Sequence, residues 1–399
     1  MCAVLSGLLL TATFRPFAMA WIAWIALIPL AWAVCRSTRW GGVQLALTAG
    51  MVHWVSAVWW VGKVTAAGMF ALAMYCALYF ILPLLFWRAW NRRMGWKGWR
   101  GVGGLGVVSS AWCGAEMLRS TVLSGFPWNM LGVSQVEWTA LIGIADIGGV
   151  VAVSFLVIAV NVACLTLLTG PFRDRWPVGV VAAAMVCGAC GYGTLRQQAG
   201  GDTNTLKIGL VQPNVPLDEK WDMAFQERIF RTLERQTLPL ANAEADLIVW
   251  PETVLPFFLA YDAKQMAFVY TLLANGSPIL AGSMHSEDIN AEPMQMTNSS
   301  FFFDGAGPRR HTKPKRYDKQ HLVLVGEYVP WPEVFLPVLR TFSPIQDNVS
   351  AGTETVIFSL QEEPFSVLIC FEDTVPSLAT TNLTTTRPAR LGSFTSSRW

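Results

Sequence analysis

The chain has 399 residues, 53% of them hydrophobic and only 14% charged, with 29 Lys and Arg against 27 Asp and Glu and a net charge of +2. This excludes a disordered chain, a collagen-like chain and a small disulfide scaffold, and it is too apolar for one ordinary water-soluble domain. The charges are also unevenly shared, 16 in residues 1–195 and 40 in residues 196–399, so lipid is expected as the solvent of the first half and water as that of the second.

Trp follows the opposite trend, with 15 of 19 in the first half, as expected of rings that sit near membrane interfaces. The basic residues are dispersed, so no nucleic-acid partner is expected. Seven apolar segments, at about 1–13, 17–35, 42–62, 66–87, 103–122, 146–169 and 176–194, come near the ~20 residues needed to cross a bilayer. The first is short, so it is either a partial span or preceded by more chain. No basic stretch precedes it, which argues against a cleaved signal peptide. Nine basic residues (Arg36, Arg39, Arg88, Arg92, Arg93, Lys97, Arg100, Arg173, Arg175) fall in one set of loops and three (Arg15, Lys63, Arg119) in or near the other. The positive-inside rule puts the first set in the cytoplasm and everything after about residue 195 outside it. In a bacterial cell that is the periplasmic face of the inner membrane. Seven of the eight cysteines lie in the apolar half, where cysteine is usually a small buried hydrophobe, and the Cys187/Cys190 pair sits in an apolar helical run. Only Cys370 belongs to the polar half, which excludes an internal disulfide there.

The second half reads as alternating strands and helices. LKIGLVQ (206–212), ADLIVWPE (245–252), SPILAGS (277–283), NSSFFFD (298–304), TVIFSL (355–360) and FSVLIC (365–370) are strand candidates. Trp221, Phe225, Ile229 and Leu233 recur at i+4 in a helix expected over about 218–237, and a second helix is expected over about 262–274, ending before Gly276. An α/β sandwich follows. Reactive side chains fall at the ends of strands: Glu252 after a Trp-Pro pair, Lys319 in RYDKQHL, and Cys370 at the end of FSVLIC. Such a carboxylate can take the thiol proton, the thiolate can attack a carbonyl, and the ammonium can stabilise the oxyanion.

WPE, then YDKQHL with GEYVP after it, then a strand ending in CFE, resembles the nitrilase superfamily with its Glu-Lys-Cys triad. GFPWNMLGVSQ (125–135), with Glu116 and Arg119 ahead of it, narrows the resemblance to the bacterial apolipoprotein N-acyltransferases, over about residues 1–376. The resemblance implies a membrane bundle (1–195) followed by an αββα nitrilase-like domain (203–376). It implies Glu252 as general base, Lys319 as oxyanion stabiliser and Cys370 as nucleophile. Glu327, Trp221, Phe371 and Glu372 take supporting or substrate-binding roles. The family usually has Tyr where Phe371 stands, and LVPFGE where this chain has LVLVGE.

The implied reaction moves an acyl chain from a membrane phospholipid, phosphatidylethanolamine, to Cys370 as a thioester, and then to the α-amine of a diacylglyceryl-cysteine at the N-terminus of an apolipoprotein. No metal or dissociable cofactor is implied, and a monomer is expected. Other readings remain open. A membrane-tethered amidase would use the same triad with water, a damaged or scaffolding membrane protein would use none of it, and a transporter would need internal repeats that are not evident. His321 is a second candidate partner for Cys370. Glu116, costly inside a span, pairs with Arg119 or serves substrate. From Ser377 the composition changes abruptly, with ten Ser or Thr in 23 residues, so the nitrilase layer is expected to be incomplete and the tail aberrant.

Overall fold

In the computed structural model the described residues are all except 64, 199–204, 293, 305–312, 325, 330–348 and 387–399. They form two compact units, helical up to Gln198 and mixed α/β from Ile208.

The first unit contains α1 (Cys2–Ala12), α2 (Ile28–Arg36), α3 (Arg39–Ala57), α4 (Ala66–Leu78), α5 (Ile81–Arg93), α6 (Trp99–Arg119), α7 (Thr139–Ile142), α8 (Ala145–Leu168) and α9 (Phe172–Gln198). Thr38 and Thr65 cap α3 and α4, their hydroxyls accepting from the Gly41 and Gly68 amides at 3.0 and 3.2 Å. The expected span at 66–87 is two helical pieces. Pro83 has no N–H and crowds the carbonyl four residues back, at Tyr79, where the helix breaks. Three stretches, Ala66–Arg93, Ala145–Leu168 and Phe172–Gln198, are long and apolar enough to cross a membrane. The other four expected spans carry shorter or more polar helices, and the 17–35 segment begins as a 3-10 turn at Ala20–Trp24. Buried amides repair that break. Asn161 accepts from the Leu27 amide at 3.0 Å and donates to the Ala23 carbonyl at 2.8 Å, and Gln135 donates to the Ala20 carbonyl at 2.9 Å.

Glu116 and Arg119 are both buried and form no ion pair with each other; each holds the 125–135 loop. The Glu116 carboxylate accepts from the Leu131 amide at 2.8 Å and the Trp112 indole at 3.0 Å. Arg119 donates to the carbonyls of Phe126 and Trp128 at 2.5 and 2.7 Å and lies 4.7 Å from the Trp54 ring centre.

The second unit is built on a sheet of β1 (Ile208–Leu210), β2 (Leu247–Val249), β3 (Leu255–Phe258), β4 (Ile279–His285), β5 (Thr297–Phe303) and β6 (Lys315–Asp318), in the order β1-β2-β4-β5-β6 with β3 also on β4. The β1/β2, β2/β4 and β3/β4 pairs are parallel, and β4/β5 and β5/β6 antiparallel. Alternate residues face opposite sides. Ile248, Ile279, Phe301 and Phe303 pack with Ile229, Phe230, Leu233, Val269 and Leu272 of α11 (Gln226–Asn242) and α12 (Ala263–Leu273). Leu247, Leu280, Phe302 and Tyr317 pack instead under a hairpin of β7 (Phe358–Leu360) and β8 (Glu363–Phe365). Gln361 and Glu362 join the hairpin, both at positive φ (50° and 68°), as a tight two-residue turn of that twist requires.

FSVLIC, expected as a strand to Cys370, pairs only at Phe365. Residues 366–369 have no ladder partner among the described residues, and Cys370 opens a 3-10 turn. The helix expected over 218–237 is broken: α10 (Leu217–Lys220), a 3-10 turn at Met223–Phe225, then α11. β3 and β6 were not expected. β6 (KRYD) buries only Tyr317 and carries charges on its other positions, so it gives no apolar period. The tail opens as α13 (Pro376–Thr386), started by a proline at its first position, and the remainder lies outside the described residues.

Phe302, Phe358 and Phe365 form a ring cluster with centroids 5.3–5.6 Å apart. Phe358→Ala should therefore destabilise this unit by about 3–5 kcal/mol. The check is the urea midpoint of pulse proteolysis on the detergent-extracted chain, and an unchanged midpoint would mean that the hairpin carries no packing energy.

Candidate active site

Glu252 leaves the end of β2 through Trp250 and Pro251, Lys319 follows β6, and Cys370 follows the hairpin, so three separate chain segments converge at one end of the sheet. Lys319 is 1% exposed. Its ammonium donates to Glu327 Oε1 at 2.7 Å and lies 3.7 Å from Glu252 Oε1. Its backbone is fixed too, the amide donating to the Asn298 carbonyl and the carbonyl accepting from the Gly352 amide, both at 2.8 Å. Gly352 permits this approach, since a Cβ there would lie 2.3 Å from the Asp318 carbonyl. Glu327 is held in turn by the Val323 amide, which donates to its Oε2 at 2.9 Å.

Glu252 is the carboxylate whose charge bears most on the Cys370 thiol. Cys370 keeps an exposed face, yet partial desolvation first, and then the Glu252 charge, push the thiol up to about 11, while Lys319 pulls it down. The thiol is therefore protonated near neutrality, with the Glu252 carboxylate near enough for its charge to be felt. Cys370 adopts φ +53°, a left-handed conformation that a non-glycine residue holds only when its surroundings impose it. Glu372 supplies part of that constraint. Its fully buried carboxylate accepts from the amides of Ile369 (2.7 Å), Gln320 (2.7 Å) and His321 (3.0 Å) and from the Tyr317 hydroxyl (2.9 Å). One side chain thus joins the residue before Cys370 to the residues after Lys319. Burial and the Glu372 charge push the Tyr317 phenol well above its usual range, so it acts as a donor.

Of the other expected residues, Phe371 stacks on His321 at 6.2 Å and 15°. The His321 ring thus lies along Phe371. Trp221 ends α10 and is 44% exposed, with the Lys220 ammonium 5.5 Å from its ring centre. The chemistry available is nucleophilic acyl transfer: a thiol, a carboxylate whose charge bears on it, and an ammonium beside that carboxylate. Among the described residues no cluster of His, Cys, Asp and Glu could hold a metal ion.

Two site residues escaped the sequence reading. Asn298, buried on β5, donates through Nδ2 to Glu252 Oε1 at 2.5 Å and to Glu327 Oε1 at 3.3 Å, keeping two carboxylates together beside one ammonium. The polar TNSS run in an otherwise apolar strand was the available signal. Lys220, beside Trp221, donates to the Glu252 carbonyl at 3.2 Å and to Thr253 Oγ1 at 2.5 Å.

Residues 6–163 match the profile of the apolipoprotein N-acyltransferase N-terminal domain, and residues 207–386 that of the carbon-nitrogen hydrolases. The second match runs through α13, ten residues past the boundary expected at 376. Over 398 residues the chain is 31% identical to an apolipoprotein N-acyltransferase of Geobacter metallireducens, covering 94% of this chain and 73% of the relative. It is 31% identical over 406 residues to that of Brucella suis (94% and 74% covered) and 26% identical over 410 residues to that of Rhodopseudomonas palustris (94% and 74%). With three stretches among the described residues long and apolar enough to cross a bilayer, this is a membrane protein, and the chain belongs to the apolipoprotein N-acyltransferase family.

Proposed function

We propose that the chain is a phospholipid:apolipoprotein N-acyltransferase in which Glu252, Lys319 and Cys370 carry the chemistry, Glu327 and Glu372 support it, and Trp221 and Phe371 contact substrate. The observation that carries the reading is the meeting of three chain segments at one end of the sheet, where Glu252 lies 3.7 Å from the buried Lys319 ammonium and both charges bear on the Cys370 thiol. In the first step Glu252 takes the thiol proton and the sulfur attacks an ester carbonyl of a phospholipid, phosphatidylethanolamine. The carbonyl–oxygen bond to glycerol breaks, and the proton passes from Glu252 to the leaving lysophospholipid hydroxyl. Lys319 neutralises the charge that develops on the carbonyl oxygen.

In the second step the α-amine of a diacylglyceryl-cysteine attacks the thioester, the carbon–sulfur bond breaks, and the amine proton returns through Glu252 to the sulfur. The acceptor is the N-terminus of an apolipoprotein. The enzyme works as a monomer in the bacterial inner membrane, with the second unit facing the periplasm. Basic loop residues on one side of the spans support that orientation, and both substrates are anchored by acyl chains in the adjoining leaflet.

Intact mass spectrometry of the chain incubated with phosphatidylethanolamine vesicles should show a hydroxylamine-labile acyl adduct that Cys370→Ala abolishes. Adding a diacylglyceryl-cysteine peptide should discharge it with acylation of the peptide. Discharge only to free fatty acid would favour the hydrolase reading instead. A thiol near 11 leaves about 10⁻⁴ of it ionised at pH 7. Alkylation of Cys370 by iodoacetamide should therefore climb about tenfold per pH unit from pH 7 to about 10, and Lys319→Met, which removes a charge that lowers the thiol, should slow it further. A plateau reached below pH 8 would contradict this.

A further inference from the structure

The turn that aims Glu252 is strained. Thr253, buried and β-branched, sits at φ +44°, a conformation such residues rarely adopt without outside constraint. The turn presses on Gly282 of β4 so closely that a Cβ there would lie 2.5 Å from the Pro251 carbonyl oxygen, 2.6 Å from the Thr253 amide nitrogen and 2.8 Å from Glu252 Cα. On its other side the Lys220 ammonium reaches both ends of the Glu252–Thr253 peptide, donating to the Glu252 carbonyl at 3.2 Å and to Thr253 Oγ1 at 2.5 Å. Lys220 is thereby committed to backbone and hydroxyl, whereas Lys319 faces the carboxylates.

We infer that Lys220 is a positioning residue for the reaction proposed above. It clamps the strained Glu252–Thr253 peptide, so that the carboxylate meets Cys370, Asn298 and Lys319, and it ties the aim of the base to the segment that carries Trp221. The inference rests on the acyl-transfer reading for its kinetic effect, but not for its geometry. Burial works against the Lys220 charge while Glu252 and Cys370 favour it, as suits an ammonium held inside the site. Trp221 follows Lys220 directly and has the ammonium 5.5 Å from its ring, so a substrate that shifts Trp221 also shifts the clamp. A misplacement of a catalytic group by about 1 Å can cost about a hundredfold in rate, so a clamp at this place has a measurable consequence.

The test uses the full chain in detergent, with Lys220→Met, Lys220→Arg, Thr253→Gly and the Lys220→Met/Thr253→Gly double variant. Single-turnover acylation of Cys370 from phosphatidylethanolamine should slow about tenfold or more in Lys220→Met with the KM for phospholipid unchanged, and Lys220→Arg should recover most of the rate. Glycine accepts a positive φ without strain, so Thr253→Gly should restore part of the rate in the Lys220→Met background. A charge effect or a general folding defect would not be rescued in this way. Hydrogen–deuterium exchange supplies a readout independent of activity: amides in 250–256 should exchange faster in Lys220→Met, while those in 279–285 stay at the wild-type rate. Wild-type exchange at 250–256 in Lys220→Met, or wild-type acylation, would overturn the inference, as would a slow Lys220→Met that Thr253→Gly leaves unimproved. A wild-type chain that never acylates would overturn the acyl-transfer reading, and the exchange result would then decide the clamp by itself.

Discussion

A buried ammonium needs partners, and much of the site can be understood as the answer to Lys319. At 1% exposure its charge is tolerable only beside opposite charge, and Glu327 meets it at 2.7 Å with Glu252 at 3.7 Å. Two carboxylates drawn to one cation repel each other, and Asn298 relieves that by donating to both. The same arrangement places the Glu252 charge near Cys370, and partial desolvation together with that charge keeps the thiol protonated. A protonated thiol is a poor nucleophile until a base takes its proton, which is the role proposed for Glu252.

The convergence of three segments has to be enforced, because two of its members sit in backbone conformations that cost energy, Cys370 at φ +53° and Thr253 at φ +44°. Glu372 ties the amide just before the first to those just after Lys319, and Lys220 bonds the Glu252 carbonyl and the Thr253 hydroxyl at the second. In the helical unit the same device recurs. Glu116 and Arg119, one turn apart on α6, each hold part of the 125–135 loop through its backbone, so charges that are expensive in an apolar setting satisfy peptide groups that would otherwise be unpaired there.

Much of this was legible in the residues. The apolar first half, the strand runs around Leu247, Ile279 and Phe301, and the helical stripe through Ile229 and Leu233 are periodic patterns that report burial directly. Glu252, Lys319 and Cys370 were recognisable as a set through the motifs around them. The reading lost β6 because its charged positions lie at the sheet edge, and it extended the last strand through Cys370 because apolar residues such as Ile369 can be buried by packing without a ladder partner.

The sequence by itself determined which segments are apolar enough for lipid or for a core, and which residue types are on hand for acyl transfer. Those properties belong to single side chains and to spacings of two to four residues. Only the tertiary structure decided that Asn298 bridges residues 46 and 29 positions away, that Glu372 reaches back 55 positions to Tyr317, and that Lys220 lands on the turn of Glu252. Hydrogen bonds of that range leave no period in the chain, since what selects them is the cost of burying a charge or an amide without a partner, and that cost exists only once the fold has closed around them.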